Sequence, residues 1–430
     1  MLVRGDQTVG YGPLIPDPVG LLDLPRGFSY RVISRAGEEM DDGLLVPGRH
    51  DGMAAFPGPD GTTILVRNHE NDVGMEQFSA FGPGASRMRK VDASRVFDRG
   101  RGGQPAFGGT STVVYNTRTG RVEKHYLSLA GTVYNCAGGP TPWGTWLTCE
   151  ETARTKDDKC DQDHGWVFEV EPTTTAKLQE PRPIRAMGRF RHEAVAIDPK
   201  SGVCYLSEDM PDGLLYRYIP TEPGKLLRGG RLQALKVRGA PSLITDNHGE
   251  TPDIAVGAKL EVEWIDVDDI EAPKDDLRHR GFAAGATRFA RSEGMWYGRE
   301  SVFFACTIGG KAQLGQIWRY TPSPKEGTPG ESEQPGILEL FVEPNDATMI
   351  KNADNLTVST WGDLIVCEDS PKMNGLVGVT PAGEIYRLAQ NVLNDAEFAG
   401  ATFSPDGTTL FCNIQTPGLP LAITGPWKRA

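Results

Sequence analysis

The sequence predicts an all-β fold, a six-bladed β-propeller whose ring is closed by an N-terminal strand, on three observations. Six segments share one pattern: a polar or metal-capable residue, a short β-type run, a Gly turn, then an apolar strand that often ends in carboxylates. Strands of alternating apolar and polar residues recur between these segments, while helical periodicity is scarce. One early strand, residues 27–33, has no hairpin partner nearby.

Taken in order, residues 1–26 are rich in Gly and Pro and read as an extended arm ahead of a single domain over 27–430. The strand around Tyr30 is expected to pair with the C-terminal segment 421–427, because a ring completed by its own first strand has no open edge. The repeats open at Cys136, Glu193, Glu293 and Asp354, with looser copies at Asp51 and Glu397. Their spacing of roughly 45 to 100 residues suits blades with variable outer strands. Tight turns follow, such as Pro142-Trp143-Gly144, Thr360-Trp361-Gly362 and Pro405-Asp406-Gly407. The strands after them end Cys149-Glu150-Glu151, Ser207-Glu208-Asp209, Cys367-Glu368-Asp369 and Cys412-Asn413, and the first copy ends Asn68-His69-Glu70. Outer strands are expected at 112–115 with 122–127, and at 165–170, 214–219, 316–320 and 384–387. Residues 220–290 read as outer strands plus an insertion, equally a lid or a decorative loop, and 321–336 as an exposed turn without a role.

An inner strand that descends beside the axis, turns and climbs back brings the start and the end of its hairpin to one face. Carboxylates from several blades therefore converge on one axial mouth. Buried like charges cannot all stay ionised without a large cost, so such a ring implies bound cations. Oxygen-rich sets suit Ca²⁺ or other hard cations, whereas a thiolate among them suits iron or zinc better.

Several function classes are excluded. The net charge of −12, from 45 basic and 57 acidic side chains, lacks the basic stripe of a nucleic-acid footprint. No apolar run approaches the ~20 residues that span a bilayer. Residues 1–8 hold no signal-peptide core, so the chain is expected to be cytoplasmic or a mature form whose export signal has been removed. No phosphate-binding Gly loop, GxSxG elbow or HExxH spacing occurs, which argues against nucleotide binding by those routes, an α/β-hydrolase triad and a simple zinc hydrolase. Seven cysteines show no CxxC pair. Cys149, Cys204, Cys306, Cys367 and Cys412 fall in second strands, as small apolar core residues do. Cys136 stands where other copies have Glu193 and Glu293, so it reads as a thiolate ligand or a core thiol. His69 and His192 are ligands or donors to ligands. Arg288 and Arg291, just before Glu293, suit recognition of a phosphate or carboxylate, or a local ion pair.

At Asn135-Cys136-Ala137-Gly138-Gly139, Thr148-Cys149-Glu150-Glu151, Arg191-His192-Glu193-Ala194, Arg291-Ser292-Glu293-Gly294 and Glu397-Phe398-Ala399-Gly400 the chain resembles the PhoX family of bacterial alkaline phosphatases. The resemblance implies a six-bladed propeller with an axial cluster of iron (Fe³⁺) and calcium (Ca²⁺), and hydrolysis of phosphate monoesters at alkaline pH. It implies Cys136 as the iron-bound thiolate, Glu70, Glu150, Glu193, Asp209, Glu293 and Asp369 as carboxylate ligands, and Arg291 as the arginine on the substrate phosphate. Glu151, Glu208 and Glu368 are open to exchange with their neighbours, because alternation at a strand end does not settle which residue points inward. A periplasmic or secreted monomer acting on small phosphate esters is the expectation, without nucleic acid or a membrane span. The rival readings are a phosphodiesterase, a lactonase-type calcium propeller, and a calcium-braced binding platform.

Overall fold

In the computed structural model, residues 9–249 and 253–428 are described. The fold is all-β and propeller-like, with a single α-helix among the described residues, Leu277–Ala283. Six antiparallel hairpins form its inner layer. Their strands are His50–Pro57 with Thr62–His69, Asn135–Pro140 with Trp146–Glu150, and His192–Ile197 with Cys204–Glu208. Ser292–Gly298 with Ser301–Cys306, Ala353–Val358 with Leu364–Glu368, and Phe398–Phe403 with Thr409–Ile414 complete the set. The first strands of successive hairpins lie against one another in chain order, and that of the sixth returns to the first.

Outer strands extend these hairpins, and hydrogen bonding joins the strands of the described residues into five sheets rather than six. The third and fourth hairpins share one sheet because their outermost strands, Lys259–Asp266 and Ile337–Val342, pair edge to edge, with Leu260 opposite Leu338. Pairing two outer edges in this way leaves neither free to template another chain. Sequence alone could not show it, since the pairing joins strands from different repeats. The strand Ser29–Val32 pairs with Leu419–Thr424, Tyr30 opposite Ile423, as its lack of an early partner predicts.

Two expectations change, and the outer strands expected within 220–290 are present. The N-terminal arm is not merely extended: Leu22–Pro25 pairs with Ile385–Asn391, and Leu22 and Leu24 are buried in that sheet's core, while residues 1–8 lie outside the described residues. The insertion supplies two strands, Gly230–Val237 and Lys259–Asp266, and the helix Leu277–Ala283, which packs on the strand Gly213–Pro220. Residues 321–336 have a structural role: Glu326 and Glu331 reach the buried Arg217 at 2.6 and 2.8 Å. A buried guanidinium needs such partners, because an unpaired buried charge is costly.

Candidate metal centre

Every hairpin carries a register shift just inside its open end, after His50, Asn135, His192, Ser292 and Ala353, and in the sixth one residue further in, after Ala399. A bulge re-aims the side chains beside it. Asp51, Cys136, Glu193, Glu293 and Asp354 all occupy this opening position. Neighbouring hairpins approach closely here. A Cβ on Gly52 would lie 2.6 Å from the Ala137 Cα, and one on Gly294 2.6 Å from the Asn355 Cα, so glycine is needed at both.

A second repeated feature fixes the closing end. The residue just beyond each second strand donates its N–H to the carbonyl two positions before the opening residue. The pairs are Glu70 to Arg49 at 3.0 Å, Glu151 to Tyr134 at 2.9 Å, Asp209 to Arg191 at 3.2 Å, Thr307 to Arg291 at 3.0 Å, Asp369 to Asn352 at 3.0 Å and Gln415 to Glu397 at 3.2 Å. Three rings therefore surround the axis: a rim of Arg49, Tyr134, Arg191, Arg291, Asn352 and Glu397, the opening residues, and the closing residues. In this register the sixth hairpin opens at Ala399. Glu397, read from sequence as an opening residue, belongs to the rim.

Besides Asp98 with Cys160 and His164, three clusters at the axis bring potential ligand atoms within 4.8 Å of one another: Glu70 with Cys136 and Glu151, Asp51 with Glu70 and Glu397, and Glu193 with Glu293 and Asp354. Asp209 and Asp369 adjoin them, the first beside Glu151 and Glu293, the second beside Glu397 and Asp354. Two arginines offset part of this charge. Arg49 pairs with Glu70, and Arg291 meets Asp209 at 2.7 and 2.8 Å and Glu293 at 2.7 Å.

The electrostatics follow from crowding out of water. Burial, then the Glu70 charge, pushes Asp51 up to about 8. Burial and neighbouring acids raise Glu151, Glu193, Glu293, Asp354 and Glu397 well above the usual carboxylate range, and the Cys136 thiol well above its own. Both carboxylate oxygens of Glu193 are buried without a hydrogen-bond partner. Such oxygens need a proton or a cation. The donor set, hard oxygens plus one sulfur, fits hard cations together with a thiolate-tolerant metal.

The strand-end pairs divide cleanly. Glu151, Asp209 and Asp369 stand at the mouth, whereas Glu150, Glu208 and Glu368 turn away, which corrects the ligand expectation for those three. Glu150 accepts from the backbone of Val133, Gly165 and Trp166 and faces His164 at 2.7 Å. Glu208 accepts from the Leu214 N–H and the Tyr216 hydroxyl, and burial holds it up at about 7. Glu368 accepts from the backbone of Lys351 and Gly375 and from Arg387. Each belongs to the last hydrogen-bonded pair of its hairpin, and period-two alternation sends it to the opposite side from its successor.

The histidines also lie off the axis. His69 hydrogen-bonds the Gly48 carbonyl and the Ser111 hydroxyl, and His192 the Gly188 carbonyl. Arg288 lies over the Phe282 ring and 3.7 Å from Asp212, outside the clusters. Asp51, Asp354 and Glu397 join the clusters as ligand candidates, although from sequence they are marked only as starts of repeats. The buried His164, held between Glu150 at 2.7 Å and Asp98 at 3.0 Å, has no sequence signal of its own. Burial opposes charge on this ring, but the Glu150 charge and the Asp98 hydrogen bond outweigh it and raise its pKa to about 12.

A propeller-like fold with acids and a thiol gathered at its axis has the donor groups of a metal centre. The family model for the alkaline phosphatase PhoX matches residues 9–418, and the chain belongs to that family, whose members are phosphoric monoester hydrolases. No curated protein matches the chain. Solved structures similar to it include a gluconolactonase from Xanthomonas campestris, 11% identical with a TM-score of 0.39 over 99% of each chain. Another is a luciferin-regenerating enzyme, 9% identical with a TM-score of 0.45 over 93% of this chain and 96% of that one. Likenesses this slight carry no argument about function.

Proposed function

We propose that this chain is a metal-dependent phosphatase hydrolysing phosphate monoesters at alkaline pH, on an axial cluster of iron and calcium. The carrying observation is the convergence of Cys136 with buried acids from neighbouring hairpins, among them Glu193 with two unpartnered oxygens. Cys136 would be the iron ligand. Asp51, Glu70, Glu151, Glu193, Asp209, Glu293, Asp354, Asp369 and Glu397 would supply the carboxylates. Bound cations would supply charge neutralisation and Lewis-acid polarisation at the phosphoryl group. Arg291 would contact the phosphate: Asp209 and Glu293 fix its Nε and Nη2, which leaves Nη1 for a substrate oxygen. A guanidinium held in this way needs no reorganisation as charge builds on the phosphoryl oxygens.

The cycle of contacts among six first strands supports a six-bladed count, with 27–430 as one domain and the insertion around 220–290 as part of it. We place the protein in the periplasm or outside the cell, acting as a monomer on small phosphate esters. Elemental analysis of protein purified without chelators, with hydrolysis of a monoester, a diester and a lactone measured on the same preparation, tests the reading. Iron plus calcium with monoester preference is the expected result. Calcium alone with lactone hydrolysis would make it a lactonase, calcium without turnover a binding platform, and diester preference a phosphodiesterase.

A further inference from the structure

The rim is asymmetric in what its side chains have left to offer. Arg49 donates to the Glu70 carbonyl at 2.9 Å and to the Glu70 carboxylate. Asn352 donates to the carbonyls of Thr307 and Gln313 at 3.1 and 3.3 Å. Arg291 is committed through Nε and Nη2, and Glu397 belongs to an acidic cluster. Arg191 differs from all of these. Its backbone is fixed on both sides, bridged to Glu151 and accepting from the Asp209 N–H. Its guanidinium has no hydrogen bond or ion pair to another side chain among the described residues, and its Nε is buried without an acceptor. The residue is half-buried and stands between Tyr134 and Arg291 in the order of the rim.

A buried guanidinium N–H without an acceptor carries a desolvation cost that nothing in the fold recovers. The flanking acids do not relieve it, since Glu151 faces Glu70 and Cys136 and Asp209 is occupied by Arg291. Its backbone stands on the rim beside the Asp209 N–H, and its side chain has donors that no described protein group takes. A guanidinium fork suits two oxygens of one phosphate.

We infer that Arg191 is a second phosphate-contacting arginine and sets the preference for monoesters over diesters. A monoester presents two negative charges at alkaline pH and a diester one, so the extra guanidinium favours the monoester in the ground state and the transition state. Arg291, already shared with Asp209 and Glu293, has less charge to spare for that discrimination. The inference rests on the phosphatase reading, and its test separates the two.

Wild type, Arg191→Ala and Arg191→Lys would be compared as metal-loaded proteins for metal content, for kcat and KM on p-nitrophenyl phosphate and bis(p-nitrophenyl) phosphate, and for inhibition by inorganic phosphate. Arg191→Ala is expected to keep its metals, to raise the monoester KM and the inhibition constant of phosphate about tenfold or more, and to change diester turnover far less. Arg191→Lys restores the charge without the fork and is expected to fall between, which also covers the case in which the alanine variant does not fold. An active wild type whose monoester-to-diester ratio and phosphate inhibition are unmoved in both variants overturns the inference alone. A wild type that hydrolyses neither ester removes the phosphatase reading and the inference with it.

Discussion

Glu150 and Glu151 are adjacent in the chain, yet their carboxylates serve opposite sides of one strand end. Glu150 faces His164 at 2.7 Å in a fully buried pair, while Glu151 lies within 4.8 Å of the ligand atoms of Glu70 and Cys136. The hydrogen-bonded pair Asn135 with Glu150 is the last of its hairpin, so alternation fixes which residue meets the axis.

The two substitutions should therefore separate stability from metal binding. Glu151→Gln is expected to weaken metal affinity about tenfold or more while the fold holds. Glu150→Gln should retain metal and unfold more easily, because it leaves the His164 charge with one carboxylate fewer. Metal titration and denaturant unfolding on both variants check this, and equal metal loss in the two would contradict the division.

His164 yields a prediction about alkaline pH. Its folded pKa of about 12 lies above the unfolded value of about 6.5. The group therefore contributes its full stability below about 6.5 and loses it as pH rises toward about 12. His164→Ala should cost about 3–5 kcal/mol near pH 6, as removal of one partner of a buried ion pair does. The gap to wild type should narrow steadily between pH 7 and 11 in urea unfolding. A gap that widens with pH would mean the ring is neutral in the fold.

How far the sequence could be read depends on whether local or non-local pairing decides a feature. The repeat, the ring closure by the strand at Tyr30 and the convergence of acids follow from period-two alternation and turn chemistry, which are local. The phase of each bulge is not local. One residue of slip exchanges Glu368 for Asp369 at the axis, and a slip of two places Glu397 on the rim instead of at the opening position. Clamps such as Arg217 with Glu326 and Glu331, or His164 with Asp98, join segments 66 to 114 positions apart and leave no periodic trace.

The raised carboxylates predict how metal-free protein responds to pH. Asp51, with a folded pKa of about 8, binds its proton more tightly in the fold than in the unfolded chain, and Glu193, Glu293 and Asp354 shift the same way. Stability of the stripped protein should be greatest near pH 4–5 and fall as pH rises through about 8. Calcium added back should raise Tm more at pH 8.5 than at pH 5, since protons compete for the same oxygens. Scanning calorimetry with and without chelator measures both trends, and a Tm of stripped protein that climbs with pH would count against a shared acidic cluster.

Cys136 can be tested without relying on turnover. If its thiolate binds iron, Cys136→Ser should lower iron content and bleach any sulfur-to-iron charge-transfer band, while calcium content and the β-rich circular dichroism spectrum stay as in wild type. Unchanged iron and unchanged absorption would return Cys136 to the same role as Cys149 and Cys367, buried thiols that fill space in the sheets.

Arg291 carries the last prediction. The Asp209 hydrogen bonds raise its pKa further above the usual guanidinium value, burial works against that, and Glu293 adds to the rise, so the charge is permanent at any working pH. Its positive φ of 54° places it in the left-handed region, as at Arg49, Tyr134 and Asn352. Backbone of that kind in non-glycine residues costs on the order of 1–3 kcal/mol and persists where surrounding contacts hold it. Arg291→Ala removes the Nη1 donor while Asp209 and Glu293 remain to bind cations. It should leave metal content near wild type and lower kcat/KM for a phosphomonoester roughly 10²-fold or more, about 3 kcal/mol of transition-state stabilisation. The effect should fall on kcat as well as KM, because the contact strengthens as charge develops on the phosphoryl oxygens. Near wild-type kcat/KM with full metal would remove Arg291 from the phosphate site, whereas loss of metal would make it a brace for Asp209 and Glu293 instead.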